Sequence, residues 1–377
     1  MPAAPASAAP VRVALVPVRV PTNPYAELLA RAVTAAGAEV VDPGRPGWRW
    51  LWSARRRVDV LHLHWLHVFY RRDDASRKSV VLALCFAKML LFARLLGYRL
   101  VWTMHNAQPH DSPTPLADHI AHLAAMNLSE VVIHCEAARP LLRGRKLFGG
   151  VHAIPHGSYE GVYPDTVRRP EARVRLGLAD DRVVFLAFGL IRGYKGIRRL
   201  VESFASMARG TPRGDRATLL VVGRPREAVD REAVEALRAA YRDVDVRWCL
   251  DYVPDAMVQV YMRAADYAVA AFERILVSGS AILALSFGLP LVAPRLGSLP
   301  ELVGDDAGIL YEPPDGLAAA LALALTADRA ALAAGARRRA AALDWAPIGA
   351  AHVAVYRGHR PPRHEPGAAG EVHGGRR

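Results

Sequence analysis

Cysteine is scarce. Cys85, Cys135 and Cys249 are the only three in 377 residues, and no two of them form a C-x-x-C pair. They indicate neither a disulfide framework nor a zinc centre, and a reducing cytoplasm is the simplest setting. A long uncharged apolar run is also missing. Ser79 to Tyr98 approaches the length of a bilayer span, but Lys88 and Arg94 sit inside it, each costing about 2.5–3.5 kcal/mol near a membrane centre. Spanning is therefore not expected, and the stretch reads either as a buried domain helix or as a helix lying in a membrane surface. Met1 to Pro10 is rich in Ala and Pro without a basic start or an apolar core, which reads as a loose arm rather than a signal peptide. The G-x-x-x-x-G-K-[ST] order of a P-loop is absent. No fixed-period repeat runs through the chain. The aromatic-basic signatures of RRM and KH domains are lacking too, so nucleic acid is not an expected partner.

What is present is enough for two ordinary domains, and a hydrophobic fraction of 52% supports full cores in both. The net charge of +13 is unevenly placed: between Asp42 and Arg99 twelve Arg or Lys face four Asp. Trp48, Trp50 and Trp52 fall in the same region, followed by Arg55, Arg56 and Arg57. Such a cluster suits a membrane interface or, equally, a surface helix whose tryptophans pack inward. Charge alone does not choose among anionic lipid, a nucleotide sugar and nucleic acid.

In the first half, VRVALV (Val11 to Val16) reads as a strand, a helix runs from Asn23-Pro24-Tyr25 to Ala36, and Glu39-Val40-Val41 starts the next strand. This βαβ opening predicts a parallel sheet. VDVLHLHW (Val58 to Trp65) is a further strand; its His62 and His64 face one side, too few for a metal site. The strand YRLVWTM (Tyr98 to Met104) runs into His105-Asn106-Ala107-Gln108-Pro109-His110-Asp111. Two histidines, two amides and a carboxylate at a strand's carboxyl end are the most site-like feature of this half. His105 suits a hydrogen bond to a sugar hydroxyl, and Asp111 suits accepting a proton from an acceptor hydroxyl. A loop histidine and a turn-forming Asp are the plain alternative.

The charged, Pro-bearing stretch Pro164 to Leu178 reads as a linker to a second βα series. VVFLAF (Val183 to Phe188) leads into the glycine-rich basic loop Gly189 to Gly196, which carries Arg192 and Lys195. Two cations at the mouth of a parallel strand suit a diphosphate leaving group. Further on, AADYAVAAFERILVSGSAILALSFGLPLVAPRLGSLPEL (Ala265 to Leu302) reads as strand, turn, helix, stop and strand. At its Ser278-Gly279-Ser280 turn, helix N–H groups are left without intrahelical partners, and the glycine permits close approach of a ligand. An ordinary Ser N-cap on a core helix is the alternative reading.

The second half resembles the donor domain of GT-B glycosyltransferases, particularly the large retaining family related to sucrose and mannosyl transferases. The likeness rests on FGLIRGYKG (Phe188 to Gly196), LLVVG (Leu219 to Gly223), ADYAVA (Ala265 to Ala270), SFGLPLVAP (Ser286 to Pro294) and GSLPELV (Gly297 to Val303). These cover roughly residues 183 to 357 together with a terminal helix. VLHLHW, VWTMHN and IPHG give the first half a weaker match to the acceptor domain. The resemblance implies an α/β fold of two doubly wound, Rossmann-like domains facing across a cleft. Its boundaries are 1–164 for the acceptor-side domain and 165–343 for the donor domain. A helix is expected to cross back over 344–357, and the Gly-, Pro-, His- and Arg-rich stretch 358–377 reads from its composition as a disordered tail. The family's E-x7-E glutamates fall on Ile275 and Leu283, with Glu273 two residues early, and the family's loop arginine falls on Leu190. The phosphate-binding logic carries over; the sugar-reading carboxylates do not. The pattern looks closer to bacterial exopolysaccharide transferases, including the inverting xanthan glucuronosyltransferase type, and this suggests Asp111 as the base.

The implied activity is metal-independent transfer of a hexosyl or uronosyl group. A UDP- or GDP-linked sugar serves as co-substrate, with no other cofactor. Gly189, Arg192, Lys195, Ser278, Gly279 and Ser280 hold the diphosphate, Glu301 contacts the ribose or base side, and His105 with Asp111 faces a glycan, lipid-linked or small-molecule acceptor. The expected setting is cytoplasmic, peripheral on an anionic inner membrane face. A nucleotide-sugar epimerase on the same architecture and a non-catalytic basic binding protein are the rival readings.

Overall fold

Mostly apolar runs of three to six residues form the strands, and a computed structural model describes residues 9–20, 23–71, 77–106, 114–142 and 148–361. Asp111, most of the arm at Met1 to Pro10 and residues 362–377 of the expected tail lie outside the described residues. The described chain divides into two compact units: residues up to 157 together with 344–361, and residues 158–343.

The first unit holds strands β1 (Val11–Val16), β2 (Ala38–Val41), β3 (Val60–Leu63), β4 (Arg99–Met104), β5 (Glu130–Ile133) and β6 (Val151–Ala153). All pair in parallel in the order β2-β1-β3-β4-β5-β6. The order reverses between β1 and β3, where doubly wound sheets open a ligand crevice at the strands' carboxyl ends. Val13, Leu15, Val101 and Val132 pack one face of the sheet against the helices Tyr25–Ala35 and Trp345–Tyr356. Those helices touch closely, since a Cβ on Gly349 would stand 2.4 Å from the Ala32 carbonyl oxygen.

The tryptophan cluster forms the helix Trp48–Ala54. Trp50 stacks on Tyr98, but Trp48 and Trp52 are 46% and 55% exposed, so inward packing holds for only one of the three. The apolar run after it becomes the helix Arg77–Leu95, one face of which is buried. Among the described residues no single helix is long and apolar enough to cross a membrane. The helix Pro115–Leu128 follows Thr114, with proline at its first position, where the missing N–H has no helical partner to lose.

The second unit holds β7 (Val183–Phe188), β8 (Ala217–Val222), β9 (Val246–Cys249), β10 (Tyr267–Val269), β11 (Leu291–Pro294) and β12 (Gly308–Tyr311). They too are parallel, in the order β12-β11-β10-β7-β8-β9. This is the arrangement of a dinucleotide-binding sheet, with its switch point between β7 and β10.

The stretch expected to be a linker is instead part of this unit. It contains the helix Arg169–Arg175, and both Arg173 and Asp266 have side chains only 1% exposed. Arg173 donates to Asp266 at 2.7 Å, Arg169 donates to its other oxygen at 2.5 Å, and Arg329 also pairs with it. The Val184 N–H at the start of β7 donates to the same carboxylate at 2.8 Å. Charge marks linkers only when it is solvated; here several cations converge on one buried anion.

Candidate functional site

In the second unit the switch-point crevice is bordered by the segment after β7 and the segment after β10. Gly189 has φ +107° and its N–H donates to the Val222 carbonyl at 2.9 Å. Ile191 exchanges hydrogen bonds with Arg224 and Arg226. These bonds pin the loop to the end of β8, and at Gly223 a Cβ would stand 2.1 Å from the Gly189 carbonyl oxygen. A single 3-10 turn, Gly193–Lys195, ends at Gly196 in the left-handed region, and the helix Ile197–Gly210 begins there. Gly196 is forced twice over, because a Cβ there would also lie 2.0 Å from the Ala271 carbonyl. The Glu273 N–H donates to the Tyr194 carbonyl at 2.9 Å, and Tyr194 stacks on Phe272. The two segments are therefore fixed to each other by main chain.

Gly189, Lys195 and Ser280 line one pocket here, with Ile197, Ala270 and Phe272. Lys195 folds back over the loop, its Nζ 2.9 Å from where a Cβ on Gly189 would be. Burial, and secondarily the nearby Arg192 charge, push the Lys195 ammonium down to about 8. Among the described residues no carboxylate pairs with Lys195 or Arg192, and Arg192 Nε is buried without a hydrogen-bond partner. Two adjacent cations lacking a counter-ion at a strand's carboxyl end form a site for an anion.

The turn after β10 supplies the other wall. Ser278 caps the helix Gly279–Ser286, accepting from the Ala281 N–H at 3.2 Å, and lies 3.2 Å from the Ser280 hydroxyl. The Gly279 and Ser280 N–H groups belong to the first turn, which has no helical acceptors. Gly279 also admits Tyr159, whose hydroxyl would be 3.2 Å from a Cβ there. Ser278 thus acts as the N-cap, and of this turn Ser280 is the residue that lines the pocket.

Glu301 lies on the short helix Leu299–Val303, exposed, and does not line this pocket. Ile275 is half-buried and Leu283 is buried. Glu273 stands 3.7 Å from Arg199 at the surface. Sequence reading missed Ser298, whose hydroxyl is buried without a hydrogen-bond partner next to Gly297. Its signal was the glycine-serine turn that follows β11.

In the first unit, histidines arrive strand by strand. His64, His105, His134 and His156 follow β3, β4, β5 and β6, and their rings surround Tyr25 at centroid distances of 5.6, 4.8, 5.4 and 4.6 Å. His64 Nδ1 and His105 Nε2 are 3.3 Å apart, and His105 stacks on Trp65. His62 is bound on both sides, by Thr103 and Tyr356, each at 2.8 Å. Burial and the other imidazoles hold His62, His64 and His105 well below the ordinary histidine range. Burial, opposed by a hydrogen bond to the Ile154 carbonyl, brings His134 to about 4, and burial with the His134 charge brings His156 to about 3. At neutral pH these are uncharged rings that can orient hydroxyls but are weak bases. Among the described residues no three His, Cys, Asp or Glu side chains group to hold a metal ion.

Residues 182–327 match the family described as Glycosyl transferases group 1. The chain is similar to a GDP-mannose:glycolipid 4-beta-D-mannosyltransferase of Xanthomonas campestris pv. campestris, 28% identical over 303 residues that cover 80% of each chain. It is also similar to a D-inositol 3-phosphate glycosyltransferase of Geodermatophilus obscurus, 35% identical over 50% of this chain and 43% of that one. Among solved structures, sucrose-phosphate synthase from Thermosynechococcus elongatus matches with a TM-score of 0.69 at 20% identity, covering 92% of this chain and 98% of the other. The epimerase and non-catalytic readings gain no support from these matches.

Proposed function

Since the chain is a glycosyltransferase of the GT-B fold, we propose that it moves a sugar from a nucleoside-diphosphate donor to a lipid-linked acceptor with inversion at the anomeric carbon. The observation that carries the donor assignment is Lys195 lining one pocket with Ser280 at the switch point of the second sheet, with the Arg192 charge close by and neither cation paired with a carboxylate. As the bond from the anomeric carbon to the phosphate oxygen breaks, charge grows on that oxygen. Fixed cations and main-chain N–H groups in a partly dry pocket stabilise it more than water would. Gly189 lets Lys195 reach that position, and Glu301 is assigned to the ribose or base side.

Asp111 is assigned as the base that takes the acceptor hydroxyl's proton while the oxygen attacks the anomeric carbon. His105, uncharged, is assigned to hold a hydroxyl in line. Inversion is supported by the apolar residues Ile275 and Leu283 at the positions where retaining relatives of this fold are expected to carry glutamates. The Xanthomonas relative is named for GDP-mannose, a glycolipid and a 4-beta linkage. Mannose is α-linked in its nucleotide donors, so a β product requires inversion. GDP-mannose and a glycolipid are therefore the first substrates to try, with UDP- and ADP-sugars as controls. The chain is proposed to meet that acceptor from the cytoplasmic side, peripherally.

Incubation with each nucleotide sugar and a lipid-linked acceptor, followed by release of nucleoside diphosphate and by proton NMR of the product, tests this. Acceptor-dependent release with an inverted linkage is expected. Acceptor-independent isomerisation of the donor, or a product of retained configuration, would overturn it.

A further inference from the structure

The first unit carries an apolar surface that glycosyl transfer itself does not explain. The helix Arg77–Leu95 is apolar on two opposite faces. Ala83, Phe86, Met89, Leu90 and Ala93 are buried. Val81, Leu84, Leu91 and Leu95 form a stripe at helical spacing on the other side, between 47% and 77% exposed. Lys88 lies on the same stripe, also exposed. A helix of a protein surrounded by water normally turns charged residues this way.

The stripe continues onto the neighbouring helix. Trp48 packs on Phe92 at 5.3 Å, which sets the helix Trp48–Ala54 alongside, with Trp48 and Trp52 about half exposed. Cations frame these rings. The Arg55 guanidinium lies 4.0 Å over the Trp52 ring, the Arg94 guanidinium lies 5.0 Å over exposed Phe148, and Arg49, Arg56 and Arg57 are exposed beside them.

We propose that this face docks on an anionic lipid bilayer. Leucines and tryptophans enter the boundary between headgroups and acyl chains, and the arginines and Lys88 meet lipid phosphates. The charge of the region argues for this partner, since residues 42 to 99 carry twelve Lys or Arg against four Asp. Two like-charged copies of the surface would repel each other. Arginine stems can also lie along apolar surface while their heads stay wet, which suits a shallow interfacial position. The inference deepens the reading of a lipid-linked acceptor and rests on it in part.

Co-sedimentation of the full chain with vesicles of phosphatidylcholine alone, or mixed with phosphatidylglycerol, provides the test. Binding to the mixed vesicles only, weakening with added salt, is expected. The triple variant Leu84→Ser, Leu91→Ser, Leu95→Ser and the triple variant Arg55→Gln, Arg56→Gln, Arg57→Gln should each lose roughly tenfold or more in vesicle affinity. Both should keep the wild-type circular dichroism and the wild-type rate on a water-soluble acceptor. Failure of the wild type to bind anionic vesicles, or unchanged binding by both variants, overturns the proposal. So does a wild-type dimer that the leucine variant converts to monomer, because a second copy then covers this face. Transfer to a soluble acceptor without vesicle binding defeats the docking inference alone; vesicle binding without any transfer defeats the assigned activity alone.

Discussion

The Lys195 ammonium occupies the space that a side chain at position 189 would need: a Cβ on Gly189 would stand 2.9 Å from Nζ. With φ at +107° the position is also costly for any other residue. Gly189→Ala should therefore push Lys195 out of the pocket and, through backbone strain, lower the thermal midpoint without abolishing folding. Nucleoside-diphosphate affinity should fall roughly tenfold or more, the loss of one charge-assisted hydrogen bond. Calorimetric titration of GDP and UDP, with the thermal midpoint as control, measures it.

Lys195 also makes donor binding depend on pH. Its folded-state value of about 8 lies below its ordinary 10.5. Below pH 8 the ammonium is charged whether the chain is folded or not. Between about 8 and 10.5 only the unfolded chain keeps the proton, so the folded state gains stability as pH rises through that window. Anion affinity moves the other way, and a bound diphosphate should draw a proton back. Titrations near pH 8.5 in buffers of different ionisation enthalpy should show proton uptake, and uptake should vanish in Lys195→Met.

Acid should unfold the first unit early. His134 and His352 are held near 4 and His156 near 3, against an ordinary 6.5. A histidine whose folded value is lowered contributes stability above 6.5 and loses it as pH falls toward the folded value. Each loses about 1.4 kcal/mol by pH 5.5. Thermal midpoints between pH 7.5 and 5 should fall steeply, and His134→Gln together with His156→Gln should flatten the slope.

The second unit depends on Asp266. Removing the carboxylate leaves Arg173 buried and unpaired, at a cost of about 3–5 kcal/mol. Asp266→Ala should lower the urea midpoint accordingly, whereas Arg209→Ala, which breaks the exposed pair with Asp243, should change it by less than about 1 kcal/mol.

Much of this was legible in the chain. VRVALV and VVFLAF became strands at their expected limits because largely apolar runs between turn residues suit parallel sheets buried on both faces. Ser278 was readable as a cap because the apolar helix starts right after it. Arg169 and Arg173 look like linker charges in the sequence, since nothing local tells a solvated arginine from one paired with a carboxylate more than ninety positions away. The histidine assembly was hidden for the same reason. His62 and His64 stood out on one strand, but only sheet order brings His105, His134 and His156 around Tyr25. The partly exposed tryptophans were ambiguous because a seven-residue helix has too few turns to define an inward face.

Donor binding depends on Arg192 and Lys195 holding the diphosphate together. Calorimetric titration of GDP and UDP into wild type, Arg192→Ala, Lys195→Ala and the double variant measures this directly. Each single change is predicted to weaken binding roughly tenfold or more, with coupling in the double variant and an unaltered thermal midpoint. Wild-type affinity in the double variant would contradict it.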